Sequence, residues 1–332
     1  MALLTLGCMS GLVACPTNTT PILPVTSVPM VAPTVVSVSP ANAATGVRAD
    51  AKIIVTFSQP MDQAATQAAY QSSDLPASSV GFTWDASSTV LTIKPNAALE
   101  YAKGTTTSAP PKSYGLKLNA TAKDTTGNAL APFTWVFTTL RRITITLVSD
   151  LTRTGWVVSD LRPAQIGLPM YAGDSQRDNL GLRAFTSFNL SDVPSNLPAA
   201  NLVAATLDVV GQAVYGVPCN LSAACTSVTP LLNVDHVFFG PVLGNDAYNL
   251  PLLADLGTFD VTAPVTGRHF KAGALSAVRD DFVNEIERGN RAQFRLRFDQ
   301  NSNEDGIADQ VEFGQNGAAS TYPTLILEYL IR

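Results

Sequence analysis

Apolar residues along this chain mostly alternate with polar ones in short bursts bounded by turn residues. Lys52-Ile53-Ile54-Val55-Thr56-Phe57 has the two-residue period of a half-buried strand, and Thr89-Val90-Leu91-Thr92-Ile93 repeats it. Val35-Val36-Ser37-Val38, Tyr114-Gly115-Leu116-Lys117-Leu118 and Phe133-Thr134-Trp135-Val136-Phe137-Thr138 complete the set between Pro33 and about Leu140. Strands at this spacing, with Pro and Gly between them, predict a β-sandwich. The pattern resumes at Ile143-Thr144-Ile145-Thr146-Leu147. It continues through Arg183–Phe188, Leu202–Val210, Gln293–Phe298 and Thr324–Tyr329.

One segment breaks the rule. Leu275, Val278, Phe282 and Ile286 recur at three- and four-residue intervals, with Arg279, Asp280, Glu285 and Glu287 on the other side and Gly289 as a stop. The expected fold is therefore all-β, with a sandwich over 33–140 and a second all-β domain over 141–332 that carries one amphipathic helix. Its 332 residues allow each domain its own core. Asp62 should cap a short helix through Thr66 to Tyr70, with Met61 in the core.

The ends and the charge narrow the setting. Residues 1–15 are apolar and small, shorter than the roughly 20 residues a spanning helix needs. They run into Leu12-Val13-Ala14-Cys15, which resembles a bacterial lipobox whose cysteine is lipidated. An ordinary signal peptide is the other reading, and neither has here the basic opening a signal usually shows. Residues 16–32 have Pro every few positions and read as an extended tether. Charged residues are only 14% and the net charge is −5, which excludes the basic stripe of a nucleic-acid partner. Cys219 and Cys225 close a short loop that fits a disulfide in an oxidising compartment; zinc would need further ligands that no nearby Cys or His supplies.

Two resemblances sharpen the domains. Ser39-Pro40, Gly46-Val47, the string Phe57-Ser58-Gln59-Pro60-Met61-Asp62, Ala122-Lys123-Asp124, Gly127-Asn128 and Trp135–Thr139 resemble the bacterial Ig-like domain of S-layer and other surface proteins. That likeness implies an Ig-like spacer or adhesive module without catalytic residues. Gly173-Asp174-Ser175, Leu182–Leu190, Ala204–Leu207, Phe259–Thr262, Phe294–Phe298 and Pro323–Tyr329 resemble the disaggregatase-related (DNRLRE) modules. This implies a jelly-roll-like sandwich of carbohydrate-binding type.

Candidate chemistry is concentrated in one loop. Asn301-x-Asn303-x-Asp305-Gly306-Ile307-x-Asp309-x-x-Glu312 fits the spacing of a calcium loop, with Asn in the first position. Asn301, Asn303 and Asp305 would offer side-chain oxygens, Ile307 its carbonyl, Asp309 a direct or water-mediated contact, and Glu312 a bidentate carboxylate. The string also resembles thrombospondin type-3 and dockerin loops; a plain polar turn is the alternative. His236 and His269 lie in no metalloprotease motif, and no nucleophile elbow, P-loop or dinucleotide fingerprint occurs. Asp280 and Asp281, adjacent on the helix, point apart and do not form a glycosidase pair. Phe238, Phe239, Tyr248, Trp84 and Trp156 would stack on sugar rings if exposed; Trp84 and Trp135 read as core, Trp156 and Tyr171 as the better exposed candidates.

The expected function is that of an exported, non-catalytic structural or adhesive protein of the cell envelope. It would be lipid-anchored or extracellular, partnered by an envelope protein or a polysaccharide, and able to form homo- or hetero-oligomers. The alternative is a calcium-dependent carbohydrate-binding protein.

Overall fold

A computed structural model describes residues 31–105, 110–222 and 230–332. Residues 1–30, with Cys15 and most of the expected tether, and residues 106–109 and 223–229, with Cys225, lie outside the described residues.

The first domain consists of β1 (Val35–Ser39), β2 (Ala44–Val47), β3 (Ile53–Phe57), α1 (Gln63–Ala68), β4 (Tyr70–Gln71), β5 (Val80–Trp84), β6 (Val90–Pro95), β7 (Ala102–Gly104), β8 (Ser113–Leu118) and β9 (Phe133–Thr139). Two four-stranded sheets, ordered β1-β3-β6-β5 and β2-β9-β8-β4, face one another in an Ig-like sandwich. Alternation does the sorting. Ile53, Val55 and Phe57 point inward from β3, Leu91 and Ile93 from β6, and Trp135 and Phe137 from β9, onto a common core that includes Met61. Asp62 caps α1 as expected, its Oδ1 accepting from the Ala65 amide at 3.0 Å. The helix stops at Ala68, short of Tyr70, which enters β4 and pairs with Leu118.

Asp124 locks the turn that follows β8. It accepts hydrogen bonds from the Thr126 amide and hydroxyl, the Asn128 amide and side chain, and Gln59. Burial alone pushes this carboxyl up, but the bonds from Asn128 and Thr126 outweigh it and hold the group at about 2.

The second domain runs through β10 (Arg141–Val148), β11 (Gly155–Val158), β12 (Gln165–Ile166), β13 (Met170–Asp174), β14 (Gly181–Asn189), β15 (Leu202–Tyr215), β16 (Leu231–His236), β17 (Ala254–Asp260), β18 (His269–Gly273), α2 (Leu275–Val283), β19 (Arg291–Arg297), β20 (Gln310–Phe313) and β21 (Thr324–Ile331). One sheet follows β10-β21-β15-β18 and the other β17-β16-β19-β14-β13-β20-β15, with β11 beside β14; the long strand β15 belongs to both. The core between them is contiguous and takes in Phe188, Phe294, Leu296, Phe298, Phe313 and Leu327. The result is all-β, a jelly-roll-like sandwich with one inserted helix. Only Leu140 separates β9 from β10, and β7 adds a parallel edge to β10 at Arg141↔Ala102.

The helical stripe is shorter than the sequence implies. Val278 and Phe282 are buried on the core, but α2 ends at Val283 and Ile286 is 91% exposed. Asn284 ends the helix by turning its side chain back onto the Asp280 carbonyl at 2.9 Å, a local bond that competes with continuation.

Two predictions follow from these details. Phe282→Ala should lower the stability of the second sandwich by about 3 kcal/mol, whereas Ile286→Ala should change it by less than about 0.5 kcal/mol, measured by denaturant unfolding. For Asp124, the folded value of about 2 lies below the unfolded value of about 3.9, so its stabilisation is present at neutral pH and disappears as pH falls from about 4 towards 2. Calorimetry should therefore show Asp124→Asn melting below the parent at neutral pH, with the gap closing over that acid range.

Candidate functional site

Strand pairing brings three aromatic rings to one cleft in the second domain. β11 carries Trp156, β13 carries Tyr171 and β15 ends on Tyr215. Trp156 and Tyr171 meet edge to face with centroids 5.6 Å apart. Tyr215 stands opposite Gln310 of β20, and Tyr171 opposite Glu312. With Val158, Leu182, Arg162, Ser175, Gln176 and Ala308 these residues line an open cleft of about 360 Å³.

The cleft's polar groups are held in place. Tyr215 donates to Glu312 Oε2 at 2.7 Å, and this hydrogen bond, with some burial, pushes the phenol up to about 12. Arg162 is paired with Asp160 at 2.6 Å. Rings with apolar faces, framed by planar amide and guanidinium groups, suit a ligand that is flat and apolar on one side and hydroxyl-rich at its edges. Of the other aromatics, Tyr248 is buried and stacks under Arg183 at 4.1 Å, so it is not available to a ligand. Trp135 is core, as expected.

Three acidic clusters lie in the same domain. Asp235 on β16 receives Arg295 Nη2 at 2.6 Å and Arg297 Nε at 2.7 Å. Strand alternation in Phe294-Arg295-Leu296-Arg297-Phe298 sends the apolar residues to the core and the arginines to the outer face. There Arg295 is buried, and it donates to the Leu250 carbonyl at 2.7 Å. A second cluster joins His236, Asp280 and Asp281 within metal-ligand reach of one another. Arg288 already bridges both carboxylates, and His236 Nε2 lies 2.8 Å from Asp281 Oδ1. His269 sits at the surface against Asp208.

The third cluster is the Asn/Asp loop. The structure divides the six residues expected to act together. Asn301 Oδ1 accepts from Tyr248 at 2.7 Å and Arg183 at 3.2 Å, turned toward that pair. Glu312 lies in β20 and is engaged by Tyr215. Ile307 is exposed, its amide donating to Asp305. Asn303, Asp305 and Asp309 remain together, with Asn303 Nδ2 donating to Asp305 Oδ2 at 3.0 Å and to Asp309 Oδ2 at 2.7 Å. Beside them stands Asp174 of β13, which loop spacing does not reveal. It lies 135 positions upstream of Asp309, and its Oδ1 accepts the Asp309 amide at 2.7 Å. Cys219 is buried in a short turn; Cys225, its expected partner, is among the residues not described, as is the lipidation candidate Cys15.

Comparison with known proteins places the first domain. Residues 29–139 match the bacterial Ig-like domain family. No curated protein matches the chain. Among solved structures, an L,D-transpeptidase from Mycobacterium smegmatis is similar at 11% identity, covering 59% of this chain and 69% of that one with a TM-score of 0.25. The S-layer protein rSbsC aligns at 14% identity over 48% of this chain and 24% of that one, TM-score 0.24. SGBP-B from a complex xyloglucan utilization locus in Bacteroides uniformis aligns at 11% over 88% and 72%, TM-score 0.23. Likenesses this weak say nothing about ligand or activity. What stands is an Ig-like sandwich of bacterial type joined to a second sandwich that carries the aromatic cleft.

Proposed function

We propose that the second sandwich is a non-catalytic binding module for a neutral polysaccharide, seated on Trp156, Tyr171 and Tyr215, and that the Ig-like domain carries it outward from the cell envelope. The observation that supports this is the cleft itself. Its rings are half-buried to exposed, its Arg162 is paired with Asp160, and its remaining polar edges belong to Gln176, Gln310 and Ser175. Such a surface offers stacking to the C–H face of a sugar and hydrogen bonds to its hydroxyls, with no unpaired cation in its lining to select an acidic glycan. Export, lipid attachment at Cys15 and a Cys219–Cys225 disulfide belong to the same reading, on the strength of the sequence and the Ig-like match. A purely structural or adhesive role in an envelope assembly is the competing reading.

Affinity electrophoresis against a panel of neutral and acidic polysaccharides separates the two. Retardation by a neutral glycan is expected, weakened by at least about tenfold in Trp156→Ala, while Ile286→Ala, exposed and outside the cleft's lining, leaves it unchanged. No retardation by any glycan, together with co-purification in a larger protein assembly, would favour the adhesive role.

A further inference from the structure

Two rings of the cleft stand at right angles. Trp156 and Tyr171 are 5.6 Å apart between centroids, with an interplanar angle of 90°. A run of sugar rings lying flat along a surface needs its aromatic platforms parallel, each offering a face to the same side. Perpendicular rings cannot do this, because the edge of one covers part of the face of the other. They make a corner instead, in which a single pyranose unit can rest its C–H face on one ring and its rim on the other. The space is small as well. At about 360 Å³ it lies near the low end of the roughly 300–1,000 Å³ of ligand pockets.

Part of the lining comes from loops that are tied to one another. The loop after β11 supplies Arg162, the loop after β13 supplies Ser175 and Gln176, and the loop before β20 supplies Ala308. Arg162 is 2.6 Å from Asp160 in its own loop and 3.9 Å from Asp178 in the next. From there the Arg177 amide donates to the Gly306 carbonyl at 3.3 Å, and the Gly306 amide donates to Asn179 Oδ1 at 2.8 Å. Both gaps between the three loops are thus bridged. Backbone strain concentrates in the same loops. Of seven described non-glycine residues with positive φ, four are here: Leu161 at +60°, Arg177 at +73°, Asn179 at +52° and Glu304 at +64°. Such conformations persist only where the surroundings impose them, and they cluster at ligand sites. A rim held this firmly suits a socket that receives an end, not a groove along which a chain passes.

We propose that the cleft is an end-on socket, taking one terminal pyranose unit of a neutral glycan between Trp156 and Tyr171 and excluding the internal units of a chain. This rests on the polysaccharide reading above and adds to it which part of the polymer is held. A terminal unit has one more free hydroxyl than an internal one, and Gln176, Gln310 and Ser175 supply donors and acceptors to meet it. Tyr215, opposite Gln310 and with its hydroxyl engaged by Glu312 at 2.7 Å, offers its ring and not its hydroxyl proton. The end of a main chain and a single-unit branch present the same chemistry to such a site.

The test is calorimetric titration of the full-length protein with oligosaccharide ladders of the gluco, manno, galacto and xylo series, from two units to six. In the series that binds, affinity should be complete at two units and change by less than about twofold from there to six. Trp156→Ala and Tyr171→Ala should each weaken binding of the two-unit ligand by about tenfold, because one unit touches both rings. A linear polysaccharide of that sugar should bind in proportion to its chain ends, rising as partial acid hydrolysis shortens it. A polymer with single-unit branches of that sugar should bind without hydrolysis. Affinity that climbs tenfold or more between two and six units would overturn the socket and leave the sugar reading standing. So would full binding of the two-unit ligand by both ring variants, which would seat the sugar elsewhere on the chain. No binding of any ladder or polysaccharide would sink the socket and the sugar reading together.

Discussion

Fourteen consecutive residues of β15, Leu202–Tyr215, hydrogen-bond to three different strands and so decide where most of the second domain can lie. The first half pairs with β21, Thr206–Val210 pairs on its other side with β18, and beyond a register shift at Gly211/Ala213 the strand pairs with β20. Gly211 makes that bend possible, since a Cβ there would press on Phe270 and on the Val265 carbonyl. Because one strand serves both sheets, Leu207 and Val209 can pack a continuous core while its far end delivers Tyr215 to the cleft. Gly216 and Val217, next in the chain, reach Asp309. Core packing and site geometry are thus set by the same run of backbone.

Buried charge is handled in two ways within one sheet. Asp235 has two arginines and Asp281 has Arg288 with His236, so each negative centre is answered by side chains fixed in neighbouring strands or in α2 and the turn after it. Removing a partner from such a pair leaves an uncompensated charge, which is why closed networks of this kind fix local geometry. Asp174 and Asp309, as deeply buried, have no cationic partner among the described residues and are met instead by backbone and side-chain amide donors.

How much of this was legible depends on what each residue faces. β3, β6 and β9 read directly because one side is core and the other partly wet, giving the alternation of Ile53, Val55 and Phe57. β13 did not, because Tyr171, Gly173 and Asp174 lie on a strand whose burial comes from its partners and not from an apolar period. β20, with Gln310 and Glu312 interleaved between Val311 and Phe313, is too short to declare itself. Trp156 and Tyr171 stand out in the sequence as the better candidates for exposure, and they meet half-buried in the cleft; Tyr215 gives no comparable signal. In the loop, spacing assumed one contiguous ligand run, but β20 begins at Gln310 and carries Glu312 off to Tyr215. Asp174, brought close by strand pairing across 135 positions, is beyond the reach of any local motif.

The join between the sandwiches has a mechanical side. Leu140 alone spans β9 and β10, and its amide is bonded to the Val47 carbonyl, so little slack exists there. β21 runs antiparallel to β10 and finishes beside that same join, with Ile331 opposite Arg141 and the Arg332 carbonyl accepting from Arg141. A pull on Arg332 against the first domain therefore grips this ladder at one end. Its rungs would open in sequence like a zipper, under far less tension than if they were loaded together in shear. The second sandwich is built to yield first at its base, with the sheet that carries the cleft strained later.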